Sequence, residues 1–81
     1  MSKQDVINTI RGMGSRWPSS VVARTEIRTF TGGLIKEKYL ANLDSQGAGP
    51  KGRFKIGRKV AYPVNSLITW LEARMSRVDD D

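Results

Sequence analysis

Read at about 100° per residue, the stretch TGGLIKEKYLANLDSQGAGP, residues 31–50, gathers Tyr39, Leu40 and Leu43 into one third of a helical wheel. The stem of Lys36 falls beside them. This pattern predicts a short helix from Lys36 to Gln46 with that side buried. Gly47 and Gly49-Pro50 stop it, since glycine suits a helix cap and proline cannot continue a helix. Upstream, Val21 and Val22 read as an extended entry. Ala23 to Phe30 reads as a helix with Ile27 and Phe30 on one face, ended by Gly32 or Gly33 in the left-handed region. The glycine-rich connection Thr31 to Ile35 between the two helices has the sequence form of a helix-turn-helix.

The period then changes. In RFKIGRKVAYP, Phe54, Ile56, Val60 and Tyr62 alternate with Arg53, Lys55 and Lys59 about a turn at Gly57, which predicts a β-hairpin. One face is expected to pack on the helices and the other to form a ladder of positive charge, with Arg58 near the tip. Val64 to Ser76 reads as the longest helix, with Val64, Leu67, Ile68, Trp70, Leu71 and Met75 on its apolar stripe and Trp70 as a core anchor. Arg74 and Arg77 suit the negative end of its dipole. Ahead of all this, Ser2 to Gly14 could hold a short helix through Val6, Ile7, Ile10 and Met13, disrupted by Gly12 and Gly14. So short a helix is marginal alone and is either frayed or docked. SRWPSS follows as a linker, and Trp17 either pins this arm to the core or is available to a protein partner.

The expected architecture is α+β: a small winged helix-turn-helix of three helices and a two-stranded hairpin, with a possible extra N-terminal helix. Residues 1–20 form the arm, 21–77 the domain, and 78–81 an acidic tail expected to be disordered.

Composition narrows what such a domain can do. A chain of 81 residues buries only about 60–65% of its unfolded surface, which leaves little room for a large enclosed active site. The net charge is +6, and no acidic residue occurs between Ser45 and Leu71, an interval holding Lys51, Arg53, Lys55, Arg58 and Lys59. Such clustering suits a polyanion. Cysteine and histidine are absent, removing disulfides, thiolate and histidine metal sites, and His-based nucleophile pairs. No catalytic set assembles, so a non-enzyme without a cofactor is expected. No apolar run approaches a membrane span, and the N-terminus lacks the apolar block of a signal peptide, which points to the cytoplasm.

The candidate chemistry lies opposite the buried side of the 36–46 helix, where Lys38, Ala41, Asn42 and Ser45 make a small, polar, basic face. Ala and Ser permit close approach, Lys meets phosphate or guanine, and Asn pairs bidentately with adenine. The competing reading is an ordinary solvated face. Arg24 and Arg28, one turn apart, would meet phosphates where a first helix crosses the backbone, or form an exposed basic pair near Glu26. The hairpin cations would reach backbone or minor groove, or only discourage edge pairing.

From Val22 to Glu72 the chain resembles the excisionase and AlpA-like branch of the MerR-type winged helix-turn-helix proteins. The resemblance is carried by Arg24-Thr25-Glu26, Thr31-Gly32-Gly33-Leu34, Leu40-Ala41-Asn42-Leu43, Gly47-Ala48-Gly49-Pro50 and Phe54-Lys55-Ile56-Gly57-Arg58-Lys59-Val60. It continues through Ala61-Tyr62-Pro63, Leu67 and Trp70-Leu71. It implies a second helix set in the major groove of double-stranded DNA through Lys36, Lys38, Tyr39 and Asn42. The implied hairpin contacts are Lys55, Arg58 and Lys59, with Arg53 at the base. It further implies DNA bending at an attachment site in support of an integrase, or transcription control. The absence of a heptad segment fits monomers, or a cooperative array on DNA.

Overall fold

The first helix owes its start to a capping box. Ser2 Oγ accepts from the Asp5 N–H and Asp5 Oδ2 accepts from the Ser2 N–H, both at 3.1 Å, satisfying two donors that a helix start leaves open. In the computed structural model, which describes residues 2–76, α1 runs Lys3–Arg16. It continues through Gly12 and Gly14, where the sequence predicts disruption. The reason is tertiary: α1 lies along the last helix, α4 (Val64–Arg74). Ile10 is buried, and Arg11 Nε donates to Glu72 Oε2 at 2.9 Å. A Cβ at Gly14 would stand 3.2 Å from Val64 Cγ1 and 3.3 Å from Ile68 Cγ1, so glycine is what lets the two helices approach. The arm is therefore docked, and α1 with 14 residues outruns α4 with 11, against the sequence expectation.

Trp17 completes the docking. Its Nε1 donates to the Val21 carbonyl at 2.8 Å, and its ring meets Phe30 edge-on with centroids 5.3 Å apart. Of the two readings for Trp17, the pin is the one observed.

Next come β1 (Val21–Ala23), a 3₁₀ turn (Arg24–Glu26), α2 (Ile27–Phe30), α3 (Glu37–Ser45), β2 (Phe54–Ile56), β3 (Lys59–Pro63) and α4. Two expectations are corrected here. The sheet has three antiparallel strands in the order β1-β3-β2, because Val21, Val22 and Ala23 pair with Pro63, Tyr62 and Ala61. The helix expected from Ala23 accordingly begins later: Ala23 belongs to the ladder, and only Ile27–Phe30 is α-helical.

Between α2 and α3 the chain reverses through Gly32 and Gly33, both left-handed at φ 65° and 90°, a conformation cheap only for glycine. Buried Thr31 holds this turn, its Oγ1 donating to the Ile27 carbonyl at 2.9 Å and accepting from the Ile35 N–H at 3.0 Å. The predicted ends of α3, Lys36 and Gln46, are its caps, and Lys36 supplies no side-chain cap. Val22, Ile27, Phe30, Leu40, Tyr62, Val64 and Leu67 form the core, with Trp70, Leu71, Ile68 and Met13 packed half-buried around it. Trp70 Nε1 donates to the Ala48 carbonyl at 2.9 Å.

The result is a small α+β domain of four α-helices and one three-stranded sheet among the described residues. None of its helices is long and apolar enough to cross a membrane. Arg77 and the acidic tail 78–81 lie outside the described residues.

Candidate functional site

A two-residue turn decides which way the hairpin side chains point. Ile56 pairs with Lys59, Lys55 with Val60 and Phe54 with Ala61. Directly opposed residues share a face, and here every pair joins an even-numbered position to an odd one. Positions that alternate in step along the chain therefore fall out of step across the turn. Lys55 shares a face with Val60 and Tyr62, while Lys59 shares the other with Phe54, Ile56 and Ala61. The expected division into one apolar face and one basic ladder is corrected accordingly. Tyr62 is fully buried and Val60 half-buried, but Phe54 is 38% and Ile56 75% exposed.

The face bearing Lys55 and Val60 turns toward α3. Ala41 and Ser45 of α3 line an open groove of about 570 Å³ together with Arg53, Phe54, Lys55 and Val60, with Arg24 and Asp44 also lining it. Lys38 and Asn42 continue the same arc of the helix and are exposed, because Lys38, Ala41, Asn42 and Ser45 span only about 100° of the wheel. The structure thus brings the small-residue face of α3 beside the hairpin residues Arg53 and Lys55.

The other sequence candidates are placed separately. Lys36 is exposed at the start of α3, and Arg28 is exposed on α2. Arg58 is exposed in the hairpin turn, and Lys59 leaves by the far face. Tyr39, expected on the buried side, is 45% exposed, and its Oη accepts from Arg74 Nη2 at 3.3 Å. That places it on the α4 side of α3.

Arg24 lies elsewhere than expected. It does not share an exposed helical face with Arg28; its side chain is 22% exposed and engaged within the fold. Arg24 Nε donates to Tyr62 Oη at 2.9 Å and Nη2 donates to Asp44 Oδ2 at 2.6 Å. Tyr62 donates to the same Oδ2 at 2.5 Å. Burial disfavours the Arg24 charge, but its bonds to Tyr62 and Asp44 outweigh that and raise its pKa. Burial, then the bond to Asp44, pushes the Tyr62 hydroxyl up from 10.0 to about 12, with Arg24 opposing.

Asp44 is the residue that sequence reasoning missed. It stands one turn after Leu40 on the buried side of α3, so the wheel held the signal. Its backbone carbonyl accepts from Arg53 Nη2 at 3.4 Å. One acidic residue therefore ties together the 3₁₀ turn, α3, β3 and the base of the hairpin. Its Oδ1 faces Gly49, where any Cβ would collide with the carboxylate, and has no hydrogen-bond partner among the described residues.

Electrostatics follow from this arrangement. Among the described residues the ion pairs are Arg11–Glu72 and Arg24–Asp44, so Lys36, Lys38, Arg53, Lys55, Arg58 and Lys59 keep unneutralised charge at the surface. No group of three or more acidic, His or Cys side chains gathers among the described residues to hold a metal ion. No protein family, curated protein or solved structure matches the chain.

Proposed function

We propose that this chain is a non-enzymatic, sequence-specific binder of double-stranded DNA, built as a winged helix-turn-helix. In this reading α3 enters the major groove with Lys38 and Asn42, while the β2–β3 hairpin lies on the adjacent backbone or minor groove. The observation that carries the reading is the shared groove, in which the small residues Ala41 and Ser45 stand beside Arg53 and Lys55 with no acid other than buried Asp44. A backbone can approach such a surface, and its unpaired cations supply the phosphate contacts.

Within this class we favour an excisionase of a prophage or integrative element, acting in the cytoplasm on the nucleoid. It would bend attachment-site DNA and help an integrase assemble. An AlpA-like transcription regulator would use the same surface. The alternative is a protein-interaction module that inhibits or docks on a regulator or integrase through Trp17, the N-terminal arm or the outer face of the last helix. Its Trp17 route is disfavoured, because that ring is edge-on to Phe30 with its N–H bonded to Val21.

The test is a band shift against specific and random duplexes across a salt series. Neutralising about five phosphates gives a slope of log affinity against log salt near −4 to −5. Lys38→Ala and Asn42→Ala are expected to narrow the gap between specific and random DNA, and Arg58→Ala to weaken both alike. Three variants that all bind like the parent would sink the assignment.

A further inference from the structure

The hairpin carries an apolar side chain that the fold does not use. Ile56 is 75% exposed and pairs across the two-residue turn with Lys59, so it stands on the face turned away from the core. The other exposed large apolar side chains have company: Leu34 and Tyr39 border an apolar recess with Ile10, Trp70 and Leu71, and Phe54 lines the groove beside α3. Ile56 stands apart from that recess. Lys59 stands directly across from it on the same face and Arg58 follows in the turn, while Phe54 precedes it on that face and Lys55 lies on the opposite one.

The tip is also slim. Gly57 turns at φ 63°, and a Cβ built there would meet nothing within 4 Å. An isoleucine is stiff at χ1, so its branched end keeps its shape when pushed into a gap. An apolar wedge flanked by the cations Arg58 and Lys59 is complementary to the minor groove, where phosphates line both rims and base steps lie at the floor. Apolar side chains inserted there unstack a step and kink the duplex.

We propose that Ile56 is a wedge inserted between base pairs from the minor groove, with Arg58 and Lys59 holding the flanking phosphates. The inference rests on the DNA-binding reading and adds to it a residue and a bending mechanism. Flexible pyrimidine–purine steps, which unstack most cheaply, are the preferred place of entry.

Ring closure tests this without knowledge of the binding site. A linear duplex of about 100 base pairs, shorter than the persistence length of about 150, closes slowly unless a bound protein kinks it. The parent protein is expected to accelerate ligase-catalysed closure about tenfold or more. Ile56→Ala should keep the steep salt slope, because it removes no cation, and lose the acceleration, while Ile56→Val, equally stiff at χ1, keeps it. Because the side chain is exposed, circular dichroism melts of all three should coincide. Closure equally fast with Ile56→Ala would overturn the wedge. So would a parent that binds with the steep salt dependence above yet never accelerates closure, and that result leaves the DNA reading standing. A parent that binds no duplex at all defeats both. If the parent instead self-associates without DNA, and Ile56→Lys abolishes that, the side chain belongs to a contact between copies of the chain and the wedge is wrong.

Discussion

Asp44→Ala is the substitution to which the fold should be most sensitive. Asp44 is 5% exposed, and its Oδ2 accepts from both Arg24 and Tyr62. Truncation strands two donors. Removing one partner of a buried pair costs about 3–5 kcal/mol. Arg24 keeps 22% of its side chain in solvent and can recover some hydration, but Tyr62 is fully buried, so the lower end, about 3 kcal/mol, is the expected loss. A domain of 81 residues has a total of about 4–12 kcal/mol, so this removes a large share. At about 4–8 °C per kcal/mol for a chain this small, the melting temperature should fall by roughly 12–24 °C. Urea unfolding followed by tryptophan fluorescence, with thermal circular dichroism, measures both quantities. Asn42→Ala, exposed on the same helix, is the control and should stay within about 0.5 kcal/mol of the parent. Replacing the whole network by Arg24→Met, Asp44→Leu and Tyr62→Phe should recover most of the loss, because an apolar cluster strands no donor. A loss below about 1 kcal/mol in Asp44→Ala would refute the reasoning, since the network would then be no more than a surface pair.

Two further predictions concern stability. Because the Tyr62 pKa is raised in the folded state, from 10.0 to about 12, its protonated form favours folding. That stabilisation is complete below pH 10.0 and is lost as pH rises through 12, amounting to about 3 kcal/mol at about 1.4 kcal/mol per unit. Tyr62→Phe should flatten the corresponding part of a urea-stability profile, and an unchanged slope between the two proteins would contradict the assignment. Along α1, Gly12 has nothing within 4 Å of a built Cβ whereas Gly14 meets Val64 and Ile68. Gly12→Ala should therefore stabilise by about 0.5–1 kcal/mol. Gly14→Ala should gain nothing and Gly14→Leu should lose about 1–3 kcal/mol; equal thermal melts for the two alanine variants would show that α1 does not pack as described.

The parts of the fold legible in the sequence are those specified by neighbours along the chain. The paired glycines at 32 and 33, the stop at Gly47, the hairpin turn at Gly57 and the apolar stripe after Pro63 each act within a few residues. Those elements lie where the pattern puts them. The charge distribution was legible too, because an interval without acids stays positive in any fold.

What lay outside the sequence pattern was decided by contacts between distant residues. Val21–Ala23 joins the sheet only because β3 is there to receive it. Gly12 and Gly14 fail to end α1 because α4 covers the helix. The hairpin faces depend on whether its turn has two residues or three, a one-residue difference that decides whether Lys55 and Lys59 share one side or stand on opposite sides. Arg24, which by itself reads as a surface cation, becomes internal because Asp44 and Tyr62, 20 and 38 residues away, converge on it. Short-range propensity can place a turn or a helix end, but it holds no information on which side chains a fold will bring together to satisfy a buried charge.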